Sequence, residues 1–379
     1  MRYLAWARET AVWLGATPQA DDLFSSAIAT PHTLIQQHLA LDPLGLLHVS
    51  GKMNSSWGAP ALIDFLATHY GVAPQQILVT AGGSAAFALI GRALVKRGDE
   101  VLLETPVYEP FVTVLTDQGA TLRYIQRQAV NGFRLDLDAL AQAVTPNTRW
   151  IVLSNLHNPS SAVLTPDDLI AIAEIAERVG ARVIVDEIYR DLVPETTVCA
   201  AALRPDVFIT VGSTTKSYGL GALRAGWIFA PDDLQVALRD AHVTYECSLS
   251  PYTQAITVRL FVEHYPAYRA HTDHILAVNR PVAQAAFETM QRDGLLEGEF
   301  PPQGCIGFFN VVAVSDTLAL SAWLRQERHL LVAPGEFFGA AGYVRVAFGG
   351  KPDGLATALQ RLADGLVAYR LAMPPTESR

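Results

Sequence analysis

A strand, a turn and a helix follow one another in residues 77–95, which read ILVTAGGSAAFALIGRALV. Ile77–Thr80 is a short apolar run of the kind that forms a buried strand. It ends at Ala81-Gly82-Gly83-Ser84, and the residues that follow, Ala85–Val95, are typical of a helix. A strand that passes through a glycine turn directly into a helix indicates an α/β fold.

The same pattern recurs along the first two thirds of the chain. Apolar runs bounded by turns occur at Val101–Leu103, Trp150–Leu153, Val183–Val185, Val207–Val211 and Gly226–Phe229. A helix is predicted over Pro166–Val179, with Thr165 as its N-cap. Because continuous apolar strands are buried on both faces, the sequence predicts a mostly parallel sheet with flanking helices. Ligands bind such sheets at the carboxyl ends of the strands, which is where the unusual polar residues of this chain stand.

The length of 379 residues exceeds the usual size of one domain and predicts two lobes. After about Pro251 the pattern becomes more helical and then closes with predicted strands at Gly307–Val314 and Tyr343–Phe348, on either side of a helix near Leu318–Glu327. We expect a large domain over residues 45–280 and a smaller α/β domain built from residues 1–44 and 281–379. The polar residues Met373–Arg379 are expected to form a frayed tail.

Composition narrows the class of protein. The formal net charge of -9 argues against nucleic acid or an anionic membrane as the main partner. No apolar run reaches the roughly 18 residues of a membrane helix, and Arg8 and Glu9 interrupt the place of a signal peptide. The three cysteines lack metal-site spacing and predict no disulfide framework, so we expect a cytoplasmic protein.

Lysine is rare in this chain and occurs only at positions 52, 96, 216 and 351. Lys216 follows a predicted core strand, where desolvation would lower its pKa and make it an amine nucleophile. The sequence Ser213-Thr-Thr-Lys216 is also a nucleophile motif of penicillin-binding proteins and β-lactamases. Those enzymes need a Lys-Thr-Gly strand, and neither Lys96 nor Lys351 is followed by Thr-Gly, so this interpretation is disfavoured.

The turn Gly82-Gly83-Ser84 at a strand-to-helix junction favours a bound phosphate, although such glycines often form only a turn. A hydrolase elbow, G-x-S-x-G, is the rival interpretation, but Ala86 occupies the last glycine position. Ser213 and Arg224 can supply further phosphate ligands.

Asp186 ends an apolar run and is expected to lie deep, where a carboxylate needs a cationic partner such as a protonated pyridine nitrogen. The alternative is an aspartate that caps the next element.

His271 and His274 have helical spacing without a third metal ligand, so we expect a solvated helix face and no metal. Gly219-Leu-Gly221 lacks the third glycine of a dinucleotide turn.

Together these motifs resemble the class I/II aminotransferases of fold type I, enzymes that depend on pyridoxal 5'-phosphate (PLP), over roughly residues 45–350. The resemblance implies a mostly parallel seven-stranded sheet, and residues 45–280 as the domain that binds PLP. Lys216 matches the lysine that joins the cofactor as an imine, and Asp186 matches the partner of the pyridinium nitrogen. The remaining cofactor positions are matched by Gly82, Gly83, Ser84, Tyr108, Asn158, Tyr189, Ser213 and Arg224.

Within that resemblance, Tyr108 stacks on the cofactor ring, and Tyr189 and Asn158 bind the 3-oxygen. Arg345 matches the arginine that clamps the α-carboxylate of the substrate, next to Asn158. The resemblance implies an enzyme that moves an amino group from an L-amino acid to a 2-oxo acid, with Lys216 as the general base and acid. Catalysis would rest on Lys216, Asp186 and Tyr189. A homodimer is implied, and the positive mean hydropathy of +0.21 agrees with it.

Three departures from the family pattern bear on the reaction. The usual Asn-Pro-Thr-Gly reads Asn158-Pro-Ser-Ser161, without the glycine that eases the turn. Residues 52–57 lack the tyrosine that commonly reaches a phosphate across the dimer, so Trp57 or Asn54 would act differently there. The region 242–247 lacks the second arginine of dicarboxylate-specific members, and Glu246 would favour a cationic substrate such as arginine if it faced the site.

Two alternatives to an aminotransferase therefore stay open. One is another PLP-dependent reaction on an amino acid, by a lyase, a decarboxylase, or a cyclase or oxidase. A second is an effector-sensing domain of a transcriptional regulator, but only about 40 residues precede the recognisable part, too few for a DNA-binding domain in front.

Overall fold

The structure of the protein is a computed structural model, which describes residues 2–39, 57–193, 198–246 and 248–372. The strands are β1 (Asp21–Asp22), β2 (Ile77–Thr80), β3 (Glu100–Thr105), β4 (Thr121–Gln126), β5 (Thr148–Ser154), β6 (Arg182–Asp186), β7 (Phe208–Ser213), β8 (Gly226–Phe229), β9 (Leu296–Glu297), β10 (Ile306–Val311), β11 (Leu330–Leu331), β12 (Ala333–Pro334) and β13 (Tyr343–Ala347). The α-helices are Tyr3–Ala16, His32–His38, Pro60–Tyr70, Gly83–Leu94, Glu109–Asp117, Leu137–Ala143, Pro166–Glu177, Ala200–Leu203, Thr214–Ser217, Gln235–Tyr245, Pro251–Thr257, Tyr265–Arg292, Thr317–Arg328 and Leu355–Ala372.

The central sheet has seven strands in the order β2-β8-β7-β6-β5-β3-β4. The five strands from β7 to β4 are parallel, and β8 runs antiparallel to both of its neighbours. The predicted α/β fold with a mostly parallel sheet is therefore confirmed. Since β2 runs in the same direction as the parallel strands, its glycine turn lies at the same edge as the carboxyl ends of β3, β5, β6 and β7.

Alternating strand residues enter two cores, one on each face of the sheet. Leu103, Val152 and Ile184 pack in the core that contains the helix Gly83–Leu94. Leu102, Ile151 and Val183 pack in the core that contains the helix Pro166–Glu177. Burial on both faces explains why these strands are continuous apolar runs.

The sequence pattern misses one strand of this sheet, β4. It is an edge strand with mostly exposed or half-buried residues, so its composition is mixed and carries no apolar run.

The helix predicted over Pro166–Val179 ends at Glu177 and starts where expected, because Thr165 accepts from Asp168 N and Asp168 accepts from Thr165 N in a capping box.

A second, antiparallel sheet has the order β12-β13-β10-β9. It shares a core with the long helices Tyr265–Arg292 and Leu355–Ala372, and the N-terminal strand β1 pairs with β11 beside it. Residue 280, the predicted domain boundary, falls inside the helix Tyr265–Arg292, and the division into two domains stays a prediction.

The predicted frayed tail, Cys247 and Asn54 lie outside the described residues. Among the helices described, none is both long and apolar enough to cross a membrane.

Candidate active site

Most of the predicted site residues border one cavity of about 270 Å³ at the carboxyl edge of the central sheet. Its polar lining includes Gly83, Ser84, Tyr108, Asp186, Ser213, Thr215, Lys216 and Arg224. Each lies at the end of a strand or shortly after it, except Arg224, which precedes β8. Because β8 is antiparallel, its start lies at the same edge. The fold thus brings together residues that are more than 100 positions apart in the sequence.

Lys216 lies on the short helix Thr214–Ser217, directly after β7. The Ser213 side chain caps this helix by accepting from Thr215 N at 2.9 Å. The Lys216 ammonium donates to Ser26 Oγ at 3.3 Å. Desolvation, with the charge of Arg345 as a second cause, lowers the pKa of Lys216 to about 8. The amine is therefore available as a nucleophile and a base near neutral pH.

The backbone of the turn after β2 lies very close to neighbouring atoms of β8 and Arg224. Gly82 has a φ of 93°, and a Cβ there would lie 2.7 Å from Arg224 Nη2. A Cβ at Gly226 would lie 2.5 Å from the carbonyl carbon of Gly82. Only glycine fits both positions. Among the described residues, the guanidinium of Arg224 makes only long bonds of 3.4 Å, to the carbonyls of Ala81 and Gly221. Its donors and the start of the helix Gly83–Leu94 thus form a concave, cationic cradle.

Asp186 ends β6 and borders the same cavity. Its Oδ1 accepts from Ile188 N at 3.2 Å, and it has no ion-pair partner within the part of the chain that the structure describes. Desolvation raises the pKa of this carboxyl to about 7. A cation placed in the cavity would restore its charged form. The bond from Ile188 N is a local turn contact, and the 3-10 helix that follows, Arg190–Leu192, has Tyr189 and not Asp186 as its N-cap.

Arg345 and Asn158 form a second group of site residues beside the cavity. Arg345 is 1% exposed, donates to Asn158 Oδ1 at 3.0 Å and to Phe24 O at 3.1 Å, and stacks on the Phe338 ring at 5.1 Å. Its Nε has no hydrogen-bond partner among the described residues. A buried guanidinium with an open donor is suited to bind a carboxylate.

A buried network holds Asn158 in place. Asn158 N donates to Ser154 Oγ at 3.1 Å, and Ser154 Oγ donates to Glu104 Oε1 at 2.6 Å. Arg127 donates to Glu104 Oε2 through Nε at 2.8 Å. Burial raises the pKa of Glu104, and Arg127 opposes that rise. The sequence analysis misses Glu104, Arg127 and Ser154, because nothing in their local patterns marks them.

The two predicted tyrosines contact partners from the N-terminal segment. The Tyr189 hydroxyl donates to Ser26 Oγ at 2.7 Å, and burial raises its pKa. The Tyr108 ring meets the Tyr3 ring edge-on, with centroids 5.1 Å apart. Ser26 and Tyr3 are two further neighbours of the site that the sequence analysis misses. They reach the site only through folding, and no motif surrounds them.

The turn Asn158–Ser161 closes without glycine. Ser161 adopts the left-handed conformation, with a φ of 62°, which disfavours residues other than glycine. Its side chain compensates by donating to Ile306 O at 2.8 Å. His157 supports the same turn, since Nδ1 lies 2.6 Å from Ser160 Oγ and Nε2 lies 2.8 Å from Pro106 O.

Glu246 and Trp57 lie away from the cavity that Lys216 borders. Glu246 lines a neighbouring cavity of about 280 Å³, which shares Arg224 with the first, and its carboxylate lies 2.8 Å from His242 Nδ1. The Trp57 ring is covered by the Arg239 guanidinium, 5.0 Å from the ring centroid. The structure therefore does not place Glu246 where it would select a cationic substrate.

The donor set fits PLP. A cationic glycine cradle suits a phosphate, a carboxyl without an ion-pair partner among the described residues suits a pyridinium nitrogen, and a primary amine in the same lining suits an aldehyde. The lining contains an aromatic ring, Tyr108, that can cover a flat heterocycle.

Known proteins resemble this chain over most of its length. The family described as "Aminotransferase class I and II" matches residues 50–362. Capreomycidine synthase of Streptomyces vinaceus is 29% identical over 82% of this chain and 80% of its own. Aspartate/prephenate aminotransferase of Thermus thermophilus is 27% identical over 81% of both chains. A crystal structure of a PLP-dependent aminotransferase from Streptococcus suis has a TM-score of 0.84 and 27% identity, covering 95% of this chain and 97% of the other.

Proposed function

Since the chain belongs to the class I and II aminotransferase family and its cofactor is PLP, we propose that it moves an amino group from an L-amino acid to a 2-oxo acid at Lys216. The observation that carries this proposal is the common cavity of the Lys216 amine, the Asp186 carboxyl and the Arg224 cradle. The catalytic roles of individual residues below are part of the proposal.

Gly82, Gly83, Ser84, Ser213 and Arg224 would hold the phosphate, and Tyr108 would cover the ring. Asn158 and Tyr189 would bind the 3-oxygen, for which Tyr189 must exchange its bond to Ser26. When bound, PLP supplies an electron sink for the bonds at the α-carbon of the amino acid. Asp186 stabilises the positive charge that this chemistry needs on the ring nitrogen.

Arg345 and Asn158 bind the α-carboxylate of the substrate and thereby orient its α-carbon. Lys216 would accept the proton from the α-carbon of the amino acid as the general base and, once it is an ammonium, would donate a proton as the general acid. A pKa near 8 suits both steps, because the amine and the ammonium are both populated near that pH. The partners are a small amino acid and a 2-oxo acid.

A homodimer in the cytoplasm is also part of the proposal. Exposed apolar side chains at Val236, Val243, Tyr245 and Tyr252, on two successive helices, offer surface for a second copy. Sedimentation at twice the chain mass of 41.0 kDa is expected, and an active monomer would contradict this part.

The test uses the loaded wild-type protein and Lys216→Ala. Borohydride treatment should fix the cofactor covalently to the wild type and leave Lys216→Ala unlabelled by mass spectrometry. Wild-type protein mixed with an amino acid alone should release one equivalent of 2-oxo acid per site. Addition of a different 2-oxo acid should then return the amino group, and a failure to do so refutes transamination.

A second candidate is a different PLP reaction on an amino acid, since one relative is named a synthase. In the same experiment it predicts ammonia, carbon dioxide, peroxide or a cyclised product instead of a stoichiometric oxo acid. Asp186 is the only carboxyl that borders the cavity within the described residues, so the lining does not support a cationic substrate side chain.

A further inference from the structure

Ser26 lies in an N-terminal segment that crosses the candidate active site. The segment is held on both sides, because Leu23 N donates to Leu331 O at 3.0 Å and Ile28 N donates to Lys216 O at 2.9 Å. Ser26 is 4% exposed, whereas its neighbour Ser25 is exposed. The backbone thus fixes the Ser26 side chain against the residue that carries the reactive amine.

The Ser26 hydroxyl joins two site residues from adjacent parallel strands. Its Oγ accepts from the Tyr189 hydroxyl at 2.7 Å and from Lys216 Nζ at 3.3 Å. Tyr189 follows β6 and Lys216 follows β7, so the N-terminal segment supplies the bridge between them. The motifs that mark Tyr189 and Lys216 give no sign of this third member.

A hydroxyl can form a hydrogen bond with an amine whether the amine is protonated or neutral. Toward an ammonium, Ser26 Oγ accepts, as it does in this structure. Toward a neutral amine, the Ser26 O–H can turn and donate to Nζ, while Oγ still accepts from Tyr189. Tyr189 keeps its proton because burial holds its pKa well above the ordinary value. In the protein without PLP it therefore donates to Ser26 in either state and fixes the oxygen, and this contact is given up when the Tyr189 O–H turns to the 3-oxygen of bound PLP.

We propose that Ser26 is a positioning residue that holds the Lys216 amine in place in both the charged and the neutral form. This inference rests on the proposed function, in which Lys216 alternates between base and acid. The other groups that act on the Lys216 amine are Arg345, which disfavours its charge, and Cys305, Asp186 and Asp22, which favour it. Within the described part of the chain, the hydroxyl that bonds this amine is that of Ser26, and a hydroxyl can reverse the direction of its hydrogen bond.

The experiment compares Ser26→Ala, Ser26→Thr and the control Ser25→Ala. The first readout uses the protein without cofactor: the rate of acetylation of Lys216 against pH, followed by peptide mass spectrometry. Ser26→Ala removes an acceptor of the ammonium, so its profile should move to lower pH by about half a unit or more. Ser26→Thr keeps the hydroxyl and should restore the profile, and Ser25→Ala should match the wild type.

The second readout is steady-state transamination by the loaded enzyme. We expect Ser26→Ala to lower kcat by about tenfold with the KM of the amino acid unchanged within about twofold, because the substrate carboxylate site is intact. An unchanged profile and kcat in Ser26→Ala would overturn the proposal. An equal effect of Ser25→Ala would also overturn it, since the cause would then be the segment and not the hydroxyl.

The two proposals fail in different ways. If the wild type transfers no amine, the proposed function fails, whereas the acetylation profile needs neither cofactor nor activity. If the wild type is active and Ser26→Ala behaves like it, only the role of Ser26 is refuted. The comparison of Ser26→Ala with Ser25→Ala decides the matter even if threonine does not fit the buried position.

Discussion

Two neighbouring carboxyl groups, Asp186 and Glu187, are buried to nearly the same extent, at 5% and 6% exposed, and have opposite surroundings. Glu187 accepts from Ala200 N at 3.1 Å and from the Cys199 thiol at 3.0 Å, and the charge of Arg190 lowers its pKa against the effect of burial. Asp186 borders the cavity of Lys216 and accepts one backbone bond.

The difference shows how a buried charge can be assigned to structure or to function. Glu187 is surrounded by donors of its own fold, so its bonds stabilise the protein. Among the described residues, Asp186 accepts only the backbone bond from Ile188 N, and burial, with the charges of Glu104 and Glu187 adding to its effect, raises the pKa of Asp186 to about 7. Burying a carboxylate without a cationic partner lowers the stability of the fold, unless a ligand supplies the missing positive charge.

Asp186→Asn gives the largest expected effect and tests the functional half of the comparison. The amide cannot stabilise a positive ring nitrogen, so kcat of the proposed transamination should fall on the order of 10³-fold. Fold and stability should be retained, because asparagine removes a buried charge without changing shape. Activity within tenfold of the wild type, measured with saturating cofactor, would contradict the assignment.

The pH dependence of stability without cofactor isolates the same carboxyl. Its pKa is about 7 in the folded protein against an ordinary value of 3.8, so the folded state binds this proton more tightly than the unfolded state. The contribution of Asp186 to stability is therefore present below about pH 4 and is lost as pH rises to about 7, by a few kcal/mol. Urea titrations at several pH values should show this loss.

The Asp186→Asn variant provides the control for that measurement. Glu104 and Glu187 also have raised pKa values, so the wild type alone does not identify the group. The difference in free energy of unfolding between wild type and variant should change between about pH 4 and 7 and level off above that range. A constant difference across the range would refute the raised pKa.

Glu187→Gln tests the structural half of the comparison and should have the smallest effect on activity. The amide keeps one acceptor but weakens the bonds to Cys199 and Ala200 and the attraction to Arg190, so we expect a loss of about 2 kcal/mol in stability. The kcat should stay within about threefold of the wild type. A large loss of kcat at unchanged stability would show that Glu187, too, acts in the reaction.

The predictable part of the fold is the part with local signals. Continuous apolar runs marked the buried strands from β2 to β8 except β4, whose edge position leaves it polar, and the Thr165 capping box marked the start of a helix. The candidate cofactor residues that line the cavity stand at strand ends or in loops with recognisable motifs. Their roles stay predictions until they are tested.

The rest depends on contacts between distant segments. The α/β fold, the glycine turn and the lysine at a strand end could be predicted from the sequence, because these features follow from neighbouring residues. The bridge of Ser26 between Tyr189 and Lys216, the bond between Asn158 and Arg345, and the place of Glu246 at another cavity arise only when the chain folds. Such contacts join residues up to 190 positions apart, so no local pattern can encode them.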